Sequence, residues 1–267
     1  MVRSRWLPSK STYLLSTMTL APEILVFLFS IALIAGFLDT LAGGGGLLSL
    51  PALIMSGIPP LMALGTNKLQ GSMGTATATF IMLRKRRVAW KDVRLLMLSA
   101  FVGSAMGTVV VQFVNSAALT FIIPAVLLLT AIYFLFSPAP TAERSKVRMS
   151  VKNYSIFIVP GIGWYDGMFG PGTGAFFAMA GVSLRGQGLI EATAIAKTLN
   201  FSTNIAAFFV FLAAGKIVWV TGLLMMVGQM IGAWVGANFL FRINPAYLRI
   251  LIVVMCIGML TKYCLTI

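Results

Sequence analysis

Residues 95–142 read LLMLSAFVGSAMGTVVVQFVNSAALTFIIPAVLLLTAIYFLFSPAPTA, and these 48 residues contain no charged side chain. A second run, residues 217–241, has no charge in 25 residues. An α-helix needs about 20 mostly apolar residues to span a bilayer. Both runs are continuously apolar, whereas the strands of a membrane barrel alternate apolar and polar residues. The sequence therefore predicts an all-α integral membrane protein.

The composition of the whole chain agrees with this class. Of its 267 residues, 59% are hydrophobic and 10% are charged, against roughly 25% charged residues in soluble domains. The cations behind the net charge of +14 cluster in short loops, which favours anionic lipid over nucleic acid as their partner. Histidine is absent, and Cys256 and Cys264 lack metal-ligand spacing. We therefore expect no metal, no cofactor and no catalytic residue.

Eight apolar segments are candidate spans. They lie near 22–42, 62–83, 95–114, 117–136, 154–170, 191–213, 217–240 and 246–264. Two shorter pieces, 47–57 and 174–183, follow glycine-rich stretches and fit half-helices. Basic loops at 84–94 and 138–153 are cytoplasmic by the positive-inside rule, in a bacterial inner membrane. The opposite side then carries only Arg185, Arg242 and Arg249.

The chain also repeats itself. A shift of 129 residues aligns Lys68 with Lys197, and a shift of 127 aligns Asp39 with Asp166. Internal repeats of this kind are common in secondary transporters. If each half has four spans, the two halves are parallel, and this is the arrangement that we expect. If each glycine-broken segment counts as a further crossing, the halves are inverted instead.

The chain divides into a polar leader 1–20, a repeat 21–137, a basic linker 138–153 and a second repeat 154–267. The sequence leaves the oligomeric state open.

Each repeat contains a glycine break at which a helix must end, because each glycine costs about 1 kcal/mol relative to alanine in a helix. The short helix beyond the break presents its N-terminus, which attracts anions, and Thr173 is a candidate cap and ligand donor. The alternative is close helix packing, which we prefer for the pairs Gly103/Gly107 and Gly232/Gly236. The candidate binding residues of the breaks are Gly43, Gly44, Gly45, Gly46, Gly170, Gly172, Thr173 and Gly174.

Lys68 and Lys197 each lie in an otherwise apolar helix. A charge inside a membrane span is costly and therefore usually functional. The alternative is that the ammonium groups reach the lipid headgroups. Two lysines beside two helix N-termini would form an electropositive pocket for an anion. The same helices carry further polar residues, which either line a pathway for the substrate or only join helices. These residues are Asn67, Gln70, Asn200 and Asn204.

The roles of Asp39 and Asp166 stay open between two alternatives. Each aspartate either forms an ion pair with one of the lysines or carries a proton that is coupled to transport. An unpaired carboxylate in apolar surroundings takes up a proton readily, which suits a proton carrier.

These residues occur in segments that resemble the sulfite exporter TauE/SafE family of membrane permeases. The matching segments are GFLDTLAGGGGLLSLPAL (36–53), ALGTNKLQGSMGTATATF (63–80), GWYDGMFGPGTGAFF (163–177) and AIAKTLNFSTNIAAFF (194–209). With their spacing, the resemblance extends from about residue 20 to residue 265. It implies a transporter, and in particular an exporter, of sulfur-containing anions such as sulfite or organosulfonates, driven by an ion gradient.

Three classes of function remain for comparison. The favoured one is a secondary transporter that binds a small anion between the half-helices and lysines and works by alternating access. An anion channel or a membrane assembly subunit without transport of its own is the alternative. A membrane enzyme is disfavoured, because no nucleophile has a base beside it.

Overall fold

Apolar runs separated by glycine, proline or basic turns fold into helices throughout the part of the chain that the computed structural model describes, residues 20–136 and 144–239. Within each described range, short turns join consecutive helices, except at the two glycine breaks. The sixth helix, α6, is continuous but contains a π-helical turn at Tyr154–Ile158. The helices are α1 (Pro22–Ala42), α2 (Gly46–Met55), α3 (Pro60–Arg84), α4 (Trp90–Val111), α5 (Ser116–Phe136), α6 (Val151–Asn153, Tyr154–Ile158 and Val159–Met168), α7 (Thr173–Arg185), α8 (Leu189–Ala213) and α9 (Trp219–Phe239).

Five of these helices are long and apolar enough to span a bilayer, namely α1, α4, α5, α8 and α9. The predicted span near 62–83 forms α3, which is 25 residues long but rich in buried serine, threonine, asparagine and glutamine. The predicted span near 154–170 forms α6. The span predicted at 246–264, both cysteines and most of the polar leader lie outside the described residues.

Both predicted helix breaks are present. Gly43 ends α1 in the left-handed conformation, with φ 77°, and its N–H donates to the carbonyl oxygen of Asp39. Gly170 and Gly172 separate α6 from α7 with φ values of 94° and 79°. Glycine adopts these values without the steric penalty that a Cβ atom brings. The short apolar pieces beyond the breaks are the helices α2 and α7, as predicted.

The α6 and α7 helices form a hairpin whose two ends meet. The N–H groups of Arg148 and Met149, just before α6, both donate to the carbonyl oxygen of Leu184 near the end of α7, at 3.0 Å. The guanidinium of Arg185 donates to the carbonyl oxygen of Met149. The sequence predicts that Arg185 lies on the side opposite the basic linker. This prediction is wrong, because α7 ends where α6 begins, beside the linker.

The central helices α3 and α8 run antiparallel. Gly71 packs against Asn204, whereas Thr79, two turns later on α3, donates to the carbonyl oxygen of Lys197, two turns earlier on α8, at 3.1 Å. Lys68 on α3 and Lys197 on α8 are the residues that the 129-residue shift aligns. If the two halves were parallel, as expected from eight spans, α3 and α8 would run in the same direction. The antiparallel course of these two helices does not fit that arrangement.

The two G-x-x-x-G pairs are helix contact faces, as predicted. A Cβ on Gly103 would lie 2.2 Å from the carbonyl oxygen of Pro160 on α6, so α4 and α6 touch backbone to backbone. Gly232 makes the same contact with Leu33, which joins α9 to α1. Small residues permit this close approach in membranes, where packing drives helix association.

Gly107 provides a direct test of this packing. A Cβ there would lie 2.0 Å from the carbonyl oxygen of Trp164, whereas a Cβ on Gly161 meets nothing within 4 Å. Gly107→Ala should destabilise the protein by about 1–3 kcal/mol, because the helix backbones must move apart. Gly161→Ala should be neutral or stabilising, because alanine favours helix. Thermal unfolding of the two detergent-purified variants measures the difference, and equal stabilities would contradict the contact.

Candidate binding site between the two helix breaks

The two glycine breaks touch each other. A Cβ on Gly43 would lie 2.3 Å from the backbone nitrogen of Ala175, and one on Gly174 would lie 2.8 Å from the Cα of Gly43. Close packing, the alternative considered for these glycines, therefore describes Gly43 and Gly174 correctly. The contact brings the beginnings of α2 and α7 to one place in the interior.

Both buried lysines form ion pairs with the aspartates, and each pair joins the two halves of the chain. The Nζ atom of Lys68 lies 2.8 Å from Oδ2 of Asp166, and that of Lys197 lies 3.3 Å from Oδ2 of Asp39. Lys197 also donates to the carbonyl oxygen of Asp39. Both lysines are 1% exposed, so their ammonium groups do not reach out towards headgroups. Of the two alternatives for the aspartates, the structure contains the ion pairs.

A small polar cavity lies between these pairs. Its volume is about 20 Å³, which is room for one or two water molecules. A larger ligand therefore requires the surrounding helices to move. The predicted residues that line the cavity are Asp39, Gly46, Asn67, Lys68, Asp166, Gly170, Asn200 and Asn204.

The remaining predicted residues surround the cavity without lining it. Gly45 donates its N–H to Oδ1 of Asp39 at 3.3 Å. Gln70 donates from Nε2 to Oδ1 of Asn67 at 2.8 Å. Those that lie in the breaks or beside them are Gly43, Gly44, Gly172, Thr173, Gly174 and Lys197.

Asn67 is oriented by two hydrogen bonds. Its Oδ1 accepts from Nε2 of Gln70 and, at 2.6 Å, from Oγ of Ser49 on α2. Its Nδ2 lies on the side of Gly46, 3.8 Å from the position that a Cβ would take there. The network thus directs an amide donor towards the beginning of α2.

The helix beginnings have fewer free donors than the sequence predicts. The N–H of Leu47 donates to Gly44 at 3.0 Å, and that of Ala175 donates to Gly172 at 3.0 Å. The expected cap by Thr173 is wrong, because Gly172 occupies the N-cap position and the Thr173 hydroxyl donates to the carbonyl oxygen of Gly170 at 2.8 Å. What the two helices still offer an anion is mainly their dipoles.

Four cavity residues were not predicted: Ser49, Gly71, Thr75 and Gln229. Gly71 and Thr75 follow Asn67 at intervals of four residues, so they share its helix face. Gln229 is an amide within the charge-free run 217–241, and polar groups inside spans are often functional. These two signals are visible in the sequence.

The comparisons with known proteins agree with a membrane permease. Residues 28–263 match the family model described as sulfite exporter TauE/SafE. A "Probable membrane transporter protein" of Haemophilus influenzae is 40% identical over 92% of this chain and 96% of its own length. "Probable membrane transporter protein ORF9" of a Sinorhizobium species is 41% identical over 90% and 92%. "Probable membrane transporter protein YfcA" of Escherichia coli K12 is 39% identical over 92% of both chains. No solved structure matches the chain.

Proposed function

Because the chain belongs to the sulfite exporter TauE/SafE family of membrane permeases, we propose that it is a secondary transporter of small sulfur-containing oxyanions. Sulfite and organosulfonates are the substrates, export is the direction, and alternating access is the mechanism. The observation that best supports this proposal is the presence of two buried Lys–Asp ion pairs beside the two helix breaks, which touch each other. In this proposal the site only binds and releases the anion, without covalent chemistry, and the protein is a transporter and not an enzyme.

The two halves of the chain, 21–137 and 154–267, act as inverted repeats in this proposal. Its support is the antiparallel course of α3 and α8 together with the reciprocal pairing of each lysine with the other half's aspartate. Inverted repeats let one arrangement open to either side of the membrane around a fixed central site. The described conformation must open further to admit the substrate, because its cavity has room for only one or two water molecules.

Substrate binding competes with the two ion pairs. An oxyanion that enters the cavity takes the place of a carboxylate beside Lys68 or Lys197. The displaced Asp166 or Asp39 is then free to take up a proton, which couples transport to a proton gradient. Asn67, Asn200 and Asn204 supply neutral hydrogen bonds that orient the anion.

The orientation of the protein follows from its charge. Loop 84–94 and the basic linker, part of segment 138–153, lie at one end of the helices, since Val88 packs with Ala194 at the beginning of α8 and Arg144 pairs with Glu191 there at 2.8 Å. We place this end in the cytoplasm of a bacterial inner membrane by the positive-inside rule.

Counterflow distinguishes a carrier from the alternatives. Proteoliposomes loaded with unlabelled sulfite should transiently accumulate labelled sulfite from outside, and the initial rate should saturate with concentration. Carriers exchange substrate through a single site, which produces this overshoot. A channel would give flux without an overshoot, and an assembly subunit would give no flux above protein-free liposomes. Either result would contradict the proposal.

A further inference from the structure

Gln229 is a nearly buried amide whose carbonyl has no partner. Gln229 is 4% exposed and lines the cavity from α9. Among the described residues, no hydrogen-bond partner exists for its Oε1. A buried polar atom left without a partner is costly. Because Gln229 lines the cavity, a group that enters the cavity, either water or a ligand, can supply this partner.

Helix packing does not explain this side chain, because alanine makes the equivalent contact in the other half. The 129-residue shift pairs Gln229 with Ala100. A Cβ on Gly36 would lie 2.2 Å from the Gln229 carbonyl oxygen, and one on Gly163 would lie 2.6 Å from the Ala100 carbonyl oxygen. The backbone contact is thus the same in both halves, and only one half adds an amide.

The structure also makes room for this amide. A Cβ on Gly74 would lie 2.4 Å from Cγ of Gln229. The shift of 129 residues aligns Gly74 with Thr203, so the half that has Ala100 has a larger residue on the facing helix. The cavity is therefore asymmetric, because the position aligned with Gln229 in the other half is Ala100, which has no amide.

The charges around the cavity limit what it holds. When the anion displaces one carboxylate and that aspartate takes up a proton, one lysine is left to balance one negative charge, while the other ion pair stays neutral. The N-termini of α2 and α7 add only partial positive charge, and the N–H groups of Leu47 and Ala175 already have acceptors. A second negative charge would therefore lack a full countercharge, which is unfavourable in a buried site.

We propose that the site selects a monovalent oxyanion that carries a hydroxyl or a protonated oxygen, with Gln229 as the residue that binds this group. A hydroxyl donates and accepts, so it satisfies the amide whichever of its two ends faces the cavity. Hydrogensulfite and hydroxyalkanesulfonates belong to this class, whereas sulfate does not. This inference rests on the proposed function and names the charge and shape of its substrate.

Ligands of fixed charge test the proposal at a single pH. The probes are 2-hydroxyethanesulfonate, ethanesulfonate and sulfate, each measured by its competition with labelled sulfite in proteoliposomes and by thermal stabilisation of the purified protein. We expect the hydroxylated sulfonate to bind about tenfold more tightly than ethanesulfonate, the effect of one hydrogen bond to a buried group. Sulfate should bind least.

Two isosteric substitutions on α9 separate recognition from packing. Gln229→Met should remove the tenfold preference and leave ethanesulfonate binding unchanged. The control is Thr221→Val, since Thr221 is fully buried, its hydroxyl also lacks a partner among the described residues, and it does not line the cavity. That variant should retain the preference.

Each contrary result identifies what fails. Competition by sulfate equal to that of the monoanions would overturn the charge argument while leaving anion transport intact. A preference that survives in Gln229→Met would mean that the amide only holds water. If none of the anions, sulfite included, binds or is transported, the proposed function fails together with this inference.

Discussion

Replacing Lys68 by methionine should lower sulfite flux about tenfold to a hundredfold, the effect of losing one charge-assisted hydrogen bond to the substrate. The same direction is expected for Lys197→Met, because Lys197 does not line the cavity but pairs with Asp39, which does. Flux is measured as initial uptake into proteoliposomes at equal protein density. Lys216→Met is the control, since this half-buried lysine lies in the turn before α9 and outside the cavity.

Loss of function must be separated from loss of folding. Removing one partner of a buried ion pair leaves a buried charge and typically costs about 3–5 kcal/mol. Lys68→Met therefore leaves Asp166 uncompensated, and its thermal unfolding temperature should fall. The double variant Lys68→Met/Asp166→Asn removes both charges and should recover most of the stability. Its flux should stay low, because the substrate still lacks its cation.

A double variant that transports sulfite at the original rate would contradict the role of Lys68. The pair would then serve only to join α3 to α6. Recovery of stability without recovery of flux is the result that a structural role alone does not produce.

The sequence carries the elements of this site but not their pairing. Runs of glycine and a central proline are sufficient to place the helix breaks, because backbone propensity is local. Lys68 and Asp166 are 98 residues apart, and a single sequence contains no signal that joins them across halves. Two equivalent lysines and two equivalent aspartates allow pairing within a half or between halves, and only the packing of α3 against the α6–α7 hairpin decides.

Hydropathy also leaves the arrangement of the second half open. The apolar stretch 154–170 forms α6, and the residues before α6 hydrogen-bond to the end of α7. This long-range contact defines the hairpin, and hydropathy does not register it. The error at Thr173 is smaller: the helix begins one residue earlier than a threonine cap requires, because Gly172 takes the N-cap position.

Gln229 was not predicted, because it lies within the apolar run 217–241 and hydropathy gives no separate signal for a single amide. Polar residues within a span are costly in lipid, as charges are, so an amide there also indicates a functional site. The alignment of Gln229 with Ala100 is a second signal that the sequence contains.

Gly43→Ala should abolish transport by separating the two helix breaks. Gly43 has a φ of 77°, and its Cβ would lie 2.3 Å from the backbone nitrogen of Ala175. The substitution adds about 1–2 kcal/mol of backbone strain, and the collision with α7 adds about 1–3 kcal/mol. Because the lysines, aspartates and both half-helices meet at this contact, its displacement should also disrupt the ion pair of Asp39 with Lys197.

Gly57→Ala is the matched control, because it shares the strain and lacks the collision. Gly57 has a φ of 82°, and a Cβ there meets nothing within 4 Å. Gly57→Ala should be destabilised only by the backbone strain that alanine adds, and it should transport sulfite at close to the original rate. The comparison requires thermal unfolding and counterflow on both proteins. Equal losses in the two variants would show that backbone strain alone is responsible, and the contact between the breaks would then have no part in transport.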